Sequence, residues 1–401
     1  MIAILESEIV VIGGGIAGAS AAFHLAEHGR QVTIIERGEI ASEASGLNMG
    51  GLGGMGWGKS PDLQSHLTMG SLDIFRRLQL DMGYDIEFRL SGTLQAVQTD
   101  EEFDYARNRV KTLTEQCYEL ALLTPREARA IEPEASPDIK GYVLVSQRGQ
   151  ADPVKATKAF ASAAGAQGAK VLTGHGLTGI EQTSDGTYTL ATTQGEIHCE
   201  HLVVAAGAWC SQVGAMMSLD IPIVAVRGQM WATESLPPSV FHTVSGAESA
   251  LRWQNDPGND ETNPSDLTHI DGRRMTRHLY GRQRRNGEIV FGGDREAVGY
   301  VSNVDPQGIE VNKSHVGEVL PFLKNVPIKR TWSGLMPFPL HGKPIIGRIP
   351  QRDNLYVVTG LASSGFGRGP MAGKFVADLL HSGEAHQVLS EADPALFVKE
   401  A

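Results

Sequence analysis

The sequence predicts an α/β protein that opens with a Rossmann-type dinucleotide-binding unit, and three observations carry that expectation. Ile9-Val10-Val11-Ile12 is a continuous β-branched run, the pattern of a parallel strand buried on both faces. Gly13, Gly15 and Gly18 come next in the spacing G-x-G-x-x-G, where that strand turns into a helix. A second apolar run, Val32-Thr33-Ile34-Ile35, ends in Glu36, 18 residues beyond Gly18. Between the two runs, Ala19, Ala22, Phe23 and Ala26 recur at helical spacing, and Gly29 supplies the stop.

Each part has a physical purpose. Glycines let the backbone approach a pyrophosphate, and the helix N-terminus offers free N–H groups and the positive end of its dipole. A carboxylate at the tip of the second strand accepts hydrogen bonds from a ribose diol. The fingerprint alone does not separate NAD from FAD.

Bulk composition narrows the function classes. A chain of 401 residues suits two domains. Hydrophobic residues make up 41% and charged residues 20%, an ordinary globular balance. The net charge of −11 argues against nucleic acid or an anionic membrane surface as partner. Cys117, Cys199 and Cys210 form no pair motif, which points to a reducing compartment. No basic stretch precedes an apolar core at the N-terminus, and the apolar run at 9–22 is too short to span a bilayer. The expected location is cytoplasmic.

The segment after Glu36 favours FAD. Residues 42–51 form a long loop of small and polar residues, the kind that tracks an extended ligand with its backbone N–H groups. Leu202-Val203-Val204-Ala205-Ala206-Gly207-Ala208-Trp209 is a buried strand closing on a small-residue turn. Near the C-terminus, Leu355-Tyr356-Val357-Val358-Thr359 ends at Gly360. Ser363, Ser364, Gly365, Gly367 and Gly369 then open a helix with Met371, Phe375, Val376, Leu379 and Leu380 on one face. A second glycine-rich helix N-terminus is a place to neutralise charge on a reduced flavin.

These segments, in this order, resemble the D-amino-acid oxidase superfamily, especially its glycine oxidase, sarcosine oxidase and D-amino-acid dehydrogenase branch. The resemblance also rests on Val226-Arg227-Gly228-Gln229, on Trp332-Ser333-Gly334-Leu335-Met336-Pro337 and on Gly342-Lys343-Pro344-Ile345-Ile346-Gly347. It implies a glutathione-reductase-like FAD-binding domain, discontinuous at about 1–88, 150–225 and 327–401. A substrate domain of antiparallel sheet and helices, at about 89–149 and 226–326, would cap it. For noncovalent FAD it implies contacts from Gly13, Gly15, Ile16, Ala17, Gly18, Glu36 and Arg37 in the first unit, and from Ala44, Ser45, Gly46, Asn48 and Met49 in the next loop. Leu177, Ala206, Gly207 and Trp209 would add the middle contacts, and Gly334, Gly360, Ser363, Ser364, Gly365, Phe366 and Gly367 the late ones. With no cysteine after Cys210, a late covalent flavin link through cysteine has no candidate.

Local patterns within the cap are also legible. Residues 101–123 predict a charged amphipathic helix, and Thr124-Pro125-Arg126-Glu127 predicts a capped helix start. Residues 152–164 predict another helix; 187–191, 196–198 and 288–291 predict short strands. Polar residues 252–278 predict a long irregular insertion, a candidate lid.

There is no second dinucleotide fingerprint and no C-x-x-C pair. Electrons are therefore expected from an organic substrate, leaving to oxygen or an electron-transport acceptor. The resemblance implies oxidation of a C–N bond by hydride transfer to flavin N5, giving an imine that water hydrolyses. Such chemistry needs no compact triad, and no metal-ligand spacing is present. Two alternatives stay open: oxidation of a C–O bond, as in a 2-hydroxy acid, and a flavoprotein subunit of a larger complex.

The chain departs from the family where the substrate carboxylate is gripped. Met336 and Ser363 occupy the positions where the resemblance implies arginine. Either another cation takes over, with Arg282, Arg284, Arg368 and Arg252 as candidates, or the substrate lacks an α-carboxylate there; a preference for secondary or N-substituted amines is the expected consequence. Tyr280 is the expected substrate-contacting tyrosine, and Met336 with Met49 the expected apolar wall.

Overall fold

The computed structural model describes residues 5–248, 251, 269–270, 273–274, 278–352 and 354–401. Its first large sheet is mostly parallel. The strand Leu5–Ile12 lies between Val32–Ile35 and Gly195–Val204, with Lys170–Leu172 beyond the former and Leu355–Thr359 beyond the latter, all parallel. Ile345–Arg348 closes one edge in antiparallel register. Strand alternation puts Ile9 and Val11 into one core and Val10 and Ile12 into another. Both faces of the run are buried, as its unbroken β-branched character demands.

The helices Ile16–Glu27, Pro153–Ala166 and Gly365–Ser382 cover one face of this sheet. The first and last of them touch because Gly373 has no side chain: a Cβ there would collide with the backbone of Ala17 and Ala21. Ser20 also donates to the Pro370 carbonyl at 2.7 Å, an oxygen inside the C-terminal helix.

The second sheet is mainly antiparallel, in the order Arg330–Pro339, Ile223–Ser235, Glu288–Gly292, Tyr280–Gln283, Thr243–Gly246, Thr93–Val97, Gly141–Val145 and Ala121–Leu123. Helix Pro306–Val319 packs on it around Trp231, whose indole N–H donates to Asn312 at 2.8 Å.

Several expectations are corrected. The helix expected over 101–123 stops at Glu115. Cys117 turns the chain through φ 67°, and Ala121–Leu123 becomes an edge strand, because Leu120 and Leu122 bury against Val97 and Val143. The segments 196–198 and 202–204 are one strand, Gly195–Val204. A boundary at 327 falls just before Arg330–Pro339, which pairs along its full length with Ile223–Ser235 and so belongs to the second sheet. The capping box at Thr124 and Glu127 and the Asp152-capped helix form as expected. Most of 252–278, including Arg252, lies outside the described residues; within it His269–Ile270 and Arg273–Arg274 pair as short strands.

Candidate active site

The three glycine-rich turns meet at one cavity of about 340 Å³. The first turn is made by close packing. Gly13 has φ +114°, and a Cβ on it would come within 2.5 Å of the Ala205 carbonyl. Gly18 is kept side-chain-free by the Gly13 carbonyl behind it. Gly15 instead faces the cavity, beside Ile16 and Ala17.

Two helices turn N-termini without a side-chain cap of their own toward this space. Neither Gly15 before Ile16–Glu27 nor Ser364 before Gly365–Ser382 makes a side-chain cap hydrogen bond, and neither first turn carries an acid. Such ends attract anionic oxygen. Glu36 reaches the wall from the end of its strand, its carboxylate accepting from the Gly14 and Gly38 N–H groups at 2.7 and 2.8 Å. Ser45 Oγ accepts from the Ile16 N–H at 2.9 Å, tying the 42–51 loop to the first helix. Asn48 stiffens that loop by donating to the Ala44 and Ser45 carbonyls and accepting from Gly50 N–H. At the far wall the Arg37 guanidinium lies 3.7 Å over the Trp209 ring.

Of the expected cofactor contacts, Glu36, Arg37, Ala44, Ser45, Asn48, Met49, Leu177, Ala206, Gly207, Trp209, Gly334, Ser363, Ser364, Gly365, Phe366 and Gly367 line this cavity with the first-turn residues. Three expected contacts do not. Gly18 and Gly46 serve packing, each pressed against a backbone carbonyl, and Gly360, at φ +74°, borders a neighbouring cavity instead.

That second cavity, about 730 Å³, adjoins the first. Met49, Gly51, Tyr280, Leu361, Ala362, Ser363, Ser364 and Gly367 line both, so these eight form the junction. Met336 and Leu335 belong to the first cavity, where Gly228 stands opposite Gly334 across two strands and leaves the sheet face open.

The expected cations divide sharply. Arg282 is 1% exposed and lines neither cavity. Its guanidinium donates to the Met49 and Ala151 carbonyls and to Gln150 Oε1, the last two at 3.0 Å. It is a staple between the second sheet and the short ribbon formed by Gly51–Leu52 and Gly149–Gln150, and its assignment to the substrate is corrected on that ground. Arg284 is turned to Glu288. Arg368 does line the second cavity, together with three arginines that sequence reasoning missed: Arg109, Arg148 and Arg295. No local signal could have found them, since they sit on separate elements.

Burial drags the Arg148 guanidinium down to about 10, helped by the like charges of Arg109 and Arg368. Burial likewise raises the Tyr280 phenol, against the pull of Arg295, so Tyr280 stays a hydrogen-bond donor. Among the described residues no cluster of His, Cys, Asp and Glu could hold a metal ion.

The sequence matches the FAD dependent oxidoreductase family over residues 8–379. The chain belongs to that family. Glycine oxidase of Bacillus subtilis (strain 168) is 23% identical over 95% of this chain and 94% of its own length. Sarcosine oxidase subunit beta of Rhizobium meliloti (strain 1021) is 26% identical, covering 94% and 85%. The crystal structure of glycine oxidase from Geobacillus kaustophilus superposes with a TM-score of 0.83 at 23% identity, over 97% of this chain and 98% of the other, and shows the shared fold.

The residues present fit FAD. One cavity bordered by two helix N-termini without side-chain caps of their own and by an acid at the second strand's tip provides for a ring system, a pyrophosphate and a ribose. The FAD-dependent enzyme thus has a cofactor cavity and, joined to it at Tyr280, a large cationic one. No helix among the described residues is long and apolar enough to cross a membrane.

Proposed function

We propose that this FAD-dependent oxidoreductase oxidises the C–N bond of a small amine or amino acid, one that is secondary or N-substituted. FAD, held noncovalently, supplies the two-electron acceptor for the hydride. The observation that carries this reading is the make-up of the junction between the cavities. It consists of Met49, Tyr280, Leu361, Ala362, two serines and two glycines. These residues can exclude water and donate hydrogen bonds, but they offer no carboxylate or imidazole. A neutral amine can give up hydride without a protein base, whereas an alcohol needs one beside its hydroxyl. The amine oxidation named by glycine oxidase and sarcosine oxidase subunit beta points the same way.

Each side chain at the junction then has a task. Met49 and Met336 give a soft, dry wall that holds the substrate carbon. The Tyr280 phenol, kept protonated, donates to the substrate's anionic oxygen. With Met336 and Ser363 in place of cations, substrate charge is met in the second cavity, where four arginines line the wall. Noncovalent cofactor binding is supported by the cysteines: Cys199 and Cys210 are buried, Cys117 is exposed, and none is among the residues that line either cavity.

The test is anaerobic mixing of the yellow protein with a panel of amines, amino acids and 2-hydroxy acids, with flavin absorbance as the readout. Secondary amines should bleach the flavin. Bleaching by 2-hydroxy acids alone would overturn the C–N reading, and rapid bleaching by glycine at low millimolar concentration would overturn the preference for N-substitution.

A further inference from the structure

Among the described residues, the second cavity is lined by four arginines and a single carboxylate, Asp62. Arg109 comes from helix Asp100–Glu115, Arg148 from the turn between strands Gly141–Val145 and Gly149–Gln150, and Arg368 from the first turn of Gly365–Ser382. Arg295 comes just after strand Glu288–Gly292 and lies beside Tyr280. The first three are close enough that Arg148 feels the charges of both others. The cavity therefore has a cation at the junction and a cluster of cations beyond it.

The cluster is poorly satisfied by the protein itself. Among the described residues, Arg148 Nε and Arg368 Nε have no acceptor, and neither does Ser245 Oγ, on the same wall. Arg109 has only a long 3.4 Å donor contact to the Tyr105 hydroxyl. Asp62 attracts Arg368, yet its Oδ1 already accepts from Ser65 N–H and Ser65 Oγ as the cap of helix Leu63–Leu80. Buried donors without acceptors and like charges side by side both weaken a fold. Among the described residues no acid other than Asp62 lines this cavity, so its wall offers donors to an added anion.

One α-carboxylate needs one bidentate arginine. At the junction that carboxylate meets the Tyr280 phenol and the positive charge of Arg295 beside it. We infer that the Arg109–Arg148–Arg368 cluster binds a second carboxylate of the same substrate, so that the enzyme acts on amines bearing two carboxylates, one on each side of the nitrogen or at the end of a side chain. This rests on the C–N reading and extends it to a substrate class. It also accounts for Met336 and Ser363: the anion grip has moved to arginines of both domains on the wall of the second cavity.

The test uses the FAD-loaded enzyme and separates binding from turnover. Succinate and acetate are titrated while the flavin absorbance spectrum and the melting temperature are monitored. Succinate should bind about 10- to 100-fold more tightly than acetate, the gain from one further charge-assisted contact set. Arg148→Met should abolish that ratio while melting no lower than the wild type without ligand; Arg148→Lys, keeping charge without the fork, should retain part of it. In the turnover arm, N-(carboxymethyl)alanine should bleach the flavin at far lower concentration than N-methylalanine. Equal affinity for succinate and acetate, or equal use of the two amines, overturns the inference and leaves C–N oxidation standing. Bleaching by hydroxy acids alone sinks the C–N reading, while the succinate-to-acetate ratio still decides the two-anion site.

Discussion

Replacing Arg282 by methionine decides between a substrate ligand and a structural staple. Methionine keeps most of the volume and removes every donor. Three contacts go: those to the Met49 carbonyl, the Ala151 carbonyl and Gln150 Oε1. Gln150 Oε1 keeps the Arg89 Nη2 donor at 3.0 Å, so two buried carbonyl oxygens are orphaned. Each costs about 1–3 kcal/mol. Against that stands relief from burying a guanidinium, whose desolvation is visible in its pull down to about 9. The net loss is about 2–4 kcal/mol, a fall in melting temperature of roughly 2–5 °C for a protein of this size. Because Met49 and Gly50 belong to the cofactor loop, flavin should also leave more readily. Thermal unfolding by far-UV circular dichroism and flavin fluorescence reads both. If Arg282→Met melts like the wild type and instead raises the substrate KM, with Arg282→Lys restoring it, the guanidinium grips substrate and the staple assignment is wrong.

Two further outcomes rest on single contacts. Gly15→Val should give folded but flavin-free protein: a Cβ there meets only Ser45 Oγ, at 3.1 Å, while the branches fill the cavity; a yellow product with normal circular dichroism would contradict this. Glu27, at the end of the first helix, is pushed up by burial, but hydrogen bonds from His24 and Arg77 outweigh that and hold it at about 2, against an ordinary 4.5. Its folded form binds protons less readily than its unfolded form, so its contribution is complete above pH 4.5 and is lost as pH falls towards 2. Glu27→Gln should therefore cost about 1 kcal/mol at pH 7, a figure reduced for solvent screening, and the gap to wild type should close in urea melts between pH 4.5 and 2.

The cofactor half was legible because its signals are local. A β-branched run, glycines at fixed spacing and an acid at a strand tip each act within a few residues, and Gly13, Gly15, Glu36 and Ser45 stand where that logic puts them. Where packing overrode local pattern, the reading failed. Residues 116–123 continue a plausible helical stripe, yet Leu120 and Leu122 find a better home against Val97 and Val143, which only an edge strand can reach. Arg330–Pro339 looked like the return of the nucleotide unit, but its partner in register is Ile223–Ser235.

The substrate half failed for a different reason, and Arg282 shows it. Tyr280 and Arg282 share a face of one strand by the period of two, yet of the pair only the tyrosine lines a cavity. Two residues along a strand span roughly 7 Å, enough to carry the second side chain past the junction and onto the carbonyls of Met49 and Ala151. Conversely Arg109, Arg148, Arg295 and Arg368 are separated by at least 39 positions and share no pattern, yet the fold brings them to one wall. Charge recognition in this architecture is set by which elements of the two domains turn an arginine toward the second cavity. A substrate grip can therefore move between positions with no motif to mark it, while the cofactor turns, bound to a fixed ligand, cannot.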